Sequence, residues 1–135
     1  ANGQRLSHKQ SDIRFSGHAI ECRITAEAPQ HGFRPSPGRI TEWQPPQGEG
    51  IRVDSHCFAG YSVPPFYDSL IAKLITRGTD RGQAMEKMRR ALGTFRVKGI
   101  DTTIPFLLFL MDQPDYTGGN VNTRWVENRL EQFIL

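Results

Sequence analysis

The sequence is poor in the residues that staple a fold covalently or around a metal. It has two cysteines, Cys22 and Cys57, with no CxxC spacing and no neighbouring cluster of metal ligands. A disulfide framework and a zinc site are not expected, and the expected setting is a reducing one, the cytoplasm or the mitochondrial matrix. His8, His18, His31 and His56 share no spacing that suggests a metal, so they read as surface or packing histidines. Long hydrophobic runs are missing too. The longest, IPFLLFLM at 104–111, falls well short of the roughly 20 residues a helix needs to cross a bilayer, and no signal-peptide pattern is present. Charge of one sign is scarce: 17 Lys and Arg against 14 Asp and Glu leave a net +3, scattered rather than gathered into a basic tract. A nucleic-acid partner is therefore not supported, whereas a small anion or a nucleotide phosphate needs only one or two placed arginines.

Local nucleotide and nucleophile signatures are also lacking. GEGIRVDSH at 48–56 has glycines but no GxGxxG or GxxxxGK[ST] pattern and no helix after it, so a hairpin turn is the better account. GYS at 60–62 lacks the GxSxG elbow, which leaves Ser62 unsupported as a nucleophile. The chain starts Ala-Asn-Gly rather than with Met. Residues 1–13 are polar and aperiodic, as expected of a lead-in from an upstream domain, and residues 14–135 read as one domain.

What is present is ordinary globular material, 37% hydrophobic and 23% charged with 13 Gly and 9 Pro. A chain of 135 residues can bury about two-thirds of its unfolded surface. Strand-like runs at 18–25, 38–43, 50–54 and 69–76 are separated by FRPSPG, QPPQGEG and AGYSVPPFYD, which predicts a small antiparallel sheet able to curl. After Gly78 the period changes. Ala84, Met88, Ala91, Leu92 and Phe95 recur at helical spacing behind Thr79 or Asp80 as N-cap. DTTIPFLLFLMD predicts a second helix with Thr102 or Thr103 capping and Pro105 in its first turn. NTRWVENRLEQFIL predicts a third, with Trp125, Leu130 and Phe133 on one face and Asn122 or Thr123 as cap. Strands followed by helices make the fold class α+β.

Two stretches carry candidate chemistry. In HAIECRITA, strand alternation sends Ile20, Cys22 and Ile24 to one face and Ala19, Glu21, Arg23 and Thr25 to the other. Glu21 and Arg23 are either a solvated pair worth little or an arginine fork aimed at carboxylate, carbonyl or phosphate oxygens. In PPFYDSLIAKL, Tyr67 and Asp68 stand at the mouth of an apolar strand. Asp68 can fix an arginine from a neighbouring strand or simply terminate a turn, and Tyr67 can shape a site or pack over the core edge; spacing leaves the two readings even.

Taken together, GHAIECRITAE, FRPSPGRIT, GIRVDSHCFAGYSVPPFYDSLIAKLI and FRVKGIDTTIPFL resemble the C-terminal domain of biotin carboxylase, as found in acetyl-CoA, propionyl-CoA and pyruvate carboxylases. The resemblance covers nearly the whole chain in the family's order and spacing. It implies the last part of an ATP-grasp enzyme, a ligase that uses ATP and bicarbonate to carboxylate a biotin borne on a separate carrier domain. Most groups that hold ATP and Mg2+ would lie upstream, so no cofactor is expected on this segment and no ATP turnover from it alone. The arginine of the family's ECRI motif corresponds to Arg23, implied to stabilise charge developing on the biotin ureido oxygen. Asp68, Tyr67 and Glu21 are implied as its supporting wall. Arg52 corresponds to an arginine of a homodimer interface, beside which some relatives carry an aromatic residue where this chain has Glu49. Implied partners are the rest of the carboxylase, the carrier domain and a carboxyltransferase component that selects the acyl acceptor. The alternative is a non-catalytic closing or subunit-assembly module, in which Arg23 pairs fully with Glu21 or Asp68 and faces no cavity. The C-terminal domain of another ATP-grasp ligase fits the FRPSPG and PPFYDSLIAKL segments less well.

Overall fold

A computed structural model describes residues 2–134. Residues 2–17 are exposed throughout and carry one short 3-10 turn at Gln10–Asp12. Packing begins with β1 (His18–Thr25), whose period-2 alternation is realised: Ile20, Cys22 and Ile24 are buried, and Ala19, Glu21 and Arg23 are exposed. The chain then forms a ribbon from β2 (Glu27–Ala28) and β3 (Arg34–Pro35), and continues through β4 (Gly38–Arg39), β5 (Glu42–Gln44), β6 (Ile51–Ser55) and β7 (Ser62–Val63) into the long β8 (Leu70–Gly78). After it come α1 (Arg81–Thr94), β9 (Arg96–Lys98), α2 (Ile104–Met111), α3 (Pro114–Gly118) and α4 (Trp125–Ile134).

The centre is a three-stranded antiparallel sheet in the order β1-β8-β6, with α1 laid across one face. That face and the helix supply the core, including Ile24, Leu74, Met88 and Leu92, all essentially without exposure. Each such side chain contributes about 1.5–3 kcal/mol relative to an exposed one. The start of α1 follows from local chemistry: Asp80 accepts the Gln83 backbone N–H at 2.9 Å, and Gln83 returns a bond to the Thr79 N–H at 2.9 Å. Gly78 is required by close approach, since a Cβ there would stand 2.6 Å from the Ala84 nitrogen.

Two expectations are corrected, and one element is added. The run over 38–43 is two strands, because its halves take different partners: β4 pairs with β7, and β5 pairs with β9. Ile40, fully buried, is the pivot, giving its N–H to the Tyr61 carbonyl at 2.8 Å while Thr41 gives its own to Lys98 at 2.8 Å. Thr103 stands at the N-cap position of α2, but its hydroxyl makes no capping bond and serves β1 instead. α3, not anticipated from periodicity, is a single turn begun by Pro114. It helps seat α4: Asp115 accepts from the Trp125 indole at 3.3 Å and pairs with Arg129, and Trp125 joins Phe106 and Leu110 in a second apolar cluster.

Candidate active site

The polar face of the central sheet is opposite α1, and its end near Thr25 opens into a cavity of about 410 Å3. Backbone register explains where. β1 and β8 pair without interruption from His18 opposite Gly78 to Ile24 opposite Ala72, and then Thr25 faces Leu70. Ile71 is thus the extra residue of a β-bulge, which bends β8 and re-aims what precedes it. Its side chain is buried in the cavity floor, and its carbonyl accepts from the Ser55 hydroxyl at 2.6 Å. The Pro64–Asp68 approach to β8 becomes one wall of the cavity and the end of β1 the other.

Arg23 projects into this space from β1. Among the described residues its guanidinium has no carboxylate within 4.0 Å and no hydrogen-bond partner. Directly across β8 its neighbour is Lys73, which faces Asp54 of β6 on the other side. Asp68 lines the same cavity, and its Oδ1 accepts the Leu70 N–H at 2.7 Å, so the carboxylate caps the turn that opens β8 rather than forming an ion pair with Arg23. Tyr67 also lines the cavity; at 82% exposure it packs over no part of the core.

Glu21 lies on the same exposed face but does not line the cavity. Its charge adds to the effect of burial on Cys22, whose thiol is pushed up to about 12, mainly by desolvation. Arg52 is exposed on β6, opposite Ile75, and donates from Nε to Asp54 at 2.8 Å. That bond raises the Arg52 pKa and holds the Asp54 carboxyl below the usual carboxylate range. The polar face therefore carries two cross-strand rows, Arg23-Lys73-Asp54 and Glu21-Ile75-Arg52.

His56 and Tyr61 complete the cavity, their rings edge to face at 5.2 Å. Sequence reasoning sets His56 aside as a surface or packing residue, and no local signal corrects this, because the two rings meet through a loop. Lys73 is more accessible, since alternation in SLIAKLIT puts it on the face opposite Leu74. Chemically the site offers one permanent unpaired cation, one carboxylate already bonded to a backbone N–H, two phenols and an imidazole around an apolar floor, suited to a planar group that gains negative charge on an oxygen near the cation. Among the described residues no three His, Cys, Asp or Glu side chains converge as metal ligands.

The family model for the biotin carboxylase C-terminal domain matches residues 21–128. Biotin carboxylase 1 of Bacillus subtilis is 52% identical over 127 residues, which cover 94% of this chain and 28% of the relative. The chloroplastic biotin carboxylase of Arabidopsis thaliana is 46% identical over 133 residues, covering 98% of this chain and 25% of that protein. Among solved structures, the biotin carboxylase domain of a thermophilic 2-oxoglutarate carboxylase bound to bicarbonate has a TM-score of 0.93 at 46% identity, over 97% of this chain and 30% of that one. The chain spans less than a third of the length of these relatives. With the match running from β1 into α4 and the fold shared throughout, the chain belongs to the biotin carboxylase C-terminal domain family.

Proposed function

We propose that this chain forms the biotin-facing wall of a biotin carboxylase, in which carrier-bound biotin is carboxylated at the expense of ATP and bicarbonate, and that it is inactive by itself. The observation that carries this reading is the Arg23 guanidinium, turned into a cavity without a partner among the described residues. A free, permanently charged fork on a rigid strand is preorganised for an oxygen on which charge builds. Biotin, when bound, supplies a ureido nitrogen as carboxyl acceptor. Arg23 binds the ureido oxygen and favours the charged form more in the transition state than in the ground state. Tyr67 and Tyr61 flank the bound ring, and Ile71 and Val63 give the apolar surface beneath. Asp68 fixes the turn that carries Tyr67.

ATP and Mg2+ are assigned to the remainder of the enzyme. The described residues offer no group of three or more His, Cys, Asp or Glu side chains able to hold a metal ion, and no glycine-rich loop of the phosphate-binding kind opens a helix. A related biotin carboxylase domain is a dimer in complex with MgADP and bicarbonate, which supports nucleotide use by the whole enzyme and a homodimer; Arg52, exposed on β6, is proposed for that interface from its place in the family's motif. A carrier domain and a carboxyltransferase component are the further partners. Two free cysteines fit a reducing compartment, cytoplasmic or mitochondrial, and among the described residues no helix is long and apolar enough to cross a membrane. The non-catalytic alternative calls for Arg23 paired and facing no cavity, and Arg52, not Arg23, is the arginine of this face that is paired.

The test is Arg23→Ala in the full-length enzyme, assayed for ATP- and bicarbonate-dependent carboxylation of biotin. Loss of a fixed transition-state donor lowers kcat by about 10²–10³-fold, while the KM for ATP is unchanged. An alanine variant that carboxylates biotin at the parent rate refutes the assignment.

A further inference from the structure

We propose that Glu27 is a positioning residue whose carboxylate clamps β1 to the start of β8 across the bulge and thereby fixes Arg23 against the Tyr67–Asp68 wall. The inference rests on the role proposed for Arg23. It starts from an irregularity in the ladder: with Ile71 extra on β8, the register of the two strands shifts between Ile24 and Thr25, just past Arg23. A hinge at that point would let the guanidinium and the loop that carries Tyr67 drift apart.

Side chains bridge the irregularity. Glu27 accepts the Thr25 hydroxyl on Oε2 at 3.0 Å and the Ser69 hydroxyl on Oε1 at 2.5 Å. Thr25 is two residues from Arg23, and Ser69 adjoins Asp68. The Ala26 N–H adds a backbone bond to the Ser69 carbonyl at 2.8 Å. From the other side Thr103, at the start of α2, accepts the Thr25 N–H on Oγ1 at 3.0 Å and gives its own N–H to the Thr25 carbonyl at 3.1 Å.

The protons in this set have one consistent direction. An ionised carboxylate only accepts, so Thr25 and Ser69 both turn their single hydroxyl proton toward Glu27. The Thr103 hydroxyl, 3.2 Å from Thr25 Oγ1, is left to give its proton to the Arg23 carbonyl at 3.5 Å. β1, β8 and α2 are thus joined around one half-buried carboxylate, which has no Lys or Arg partner within 4.0 Å among the described residues. A half-buried acid without a cation is costly as a structural filler unless its hydrogen bonds compensate. Here those bonds join the two walls of the cavity.

The experiment uses the full-length enzyme and reads kcat for biotin carboxylation and the KM for ATP. Glu27→Ala removes both bridges and lowers kcat by about 10²-fold, the effect of misplacing a reacting group by about an ångström, with the KM for ATP unmoved. Glu27→Gln, whose amide can accept from one hydroxyl and donate to the other, recovers kcat to within about 5-fold. Because Glu27 acts through Arg23, the double variant Arg23→Ala/Glu27→Ala has the same kcat as Arg23→Ala to within about 2-fold. Losses that multiply instead, or a Glu27→Ala enzyme with the parent kcat, overturn the clamp. If Glu27→Ala does not fold, Thr25→Val and Ser69→Ala each cut one arm; both must lose kcat non-additively with Arg23→Ala, and parent activity in both overturns the proposal. A parent enzyme with no ATP- and bicarbonate-dependent carboxylation sinks the proposed function itself, whereas an active parent with an unaffected Glu27→Ala variant removes only the clamp.

Discussion

Arg23→Ala separates what the sheet needs from what the site needs. The Arg23 guanidinium makes no bond to the described residues and sits on the exposed face of β1, so its removal leaves no buried partner unsatisfied. Across β8 it stands opposite Lys73, and like charges in register are destabilising by roughly 0.2–1 kcal/mol. Relief of that repulsion offsets the lost contact of the arginine stem, and the net change in stability falls within about ±0.5 kcal/mol, as for other surface substitutions. The activation barrier responds differently. A lost preorganised donor costs about 2.7–4 kcal/mol, several times the stability change. Urea unfolding of the 135-residue chain measures the first quantity from the midpoint at constant m, and biotin carboxylation by the full-length enzyme measures the second. Arg23→Lys keeps the charge but not the planar fork, so it recovers only part of the activity. If Arg23→Ala instead destabilises the chain by more than about 2 kcal/mol, the arginine is structural and the lost activity says nothing of chemistry.

The Arg129 guanidinium and the Trp125 indole hold the Asp115 carboxyl below the usual carboxylate range, so its stabilisation is present above that range and lost as pH falls through the depressed value. The thermal-melt gap between the parent chain and Asp115→Asn, clear at pH 7, is expected to close under acid; a gap independent of pH rules this pairing out. With Cys22 buried and its thiol pushed up to about 12, a thiol reagent at about pH 8 labels only half-buried Cys57 in the folded chain, and mass spectrometry finds two labels only after denaturation. Gly78→Ala drives a Cβ to 2.6 Å from the Ala84 nitrogen and should cost about 1–3 kcal/mol in urea unfolding as α1 shifts away.

Much of the scaffold was legible because its signals are local. Period-2 burial in β1 and the apolar spacing of α1 follow from residues within one element, and Asp80 caps α1 through a partner three residues away. Two misreadings, at 38–43 and at Thr103, share a different cause: a partner far along the chain. GRITEW has the composition of one short strand between turn signals, but its apolar residues Ile40 and Trp43 are three apart, and the backbone turns at Ile40 because β7 and β9 claim its two halves. Thr103 has the side chain of a good N-cap, but the Thr25 amide, 78 residues away, takes its hydroxyl.

The bulge at Ile71 was hidden for another reason. Leu70, Ile71 and Ala72 are three apolar residues in succession, so a one-residue slip leaves the hydrophobic pattern unchanged and alternation carries no trace of it. Yet the slip decides the chemistry. An unbroken ladder would keep the approach to β8 in line with the sheet. With the bulge, Pro64–Asp68 forms the wall of a cavity, and the Asp68 carboxylate bonds to the Leu70 N–H rather than to Arg23. The Asp68 carboxylate, placed before the bulge, is taken by the Leu70 N–H, and among the described residues the Arg23 cation has no carboxylate within 4.0 Å. The same break leaves a place that Glu27 must bridge if the free cation is to hold one position.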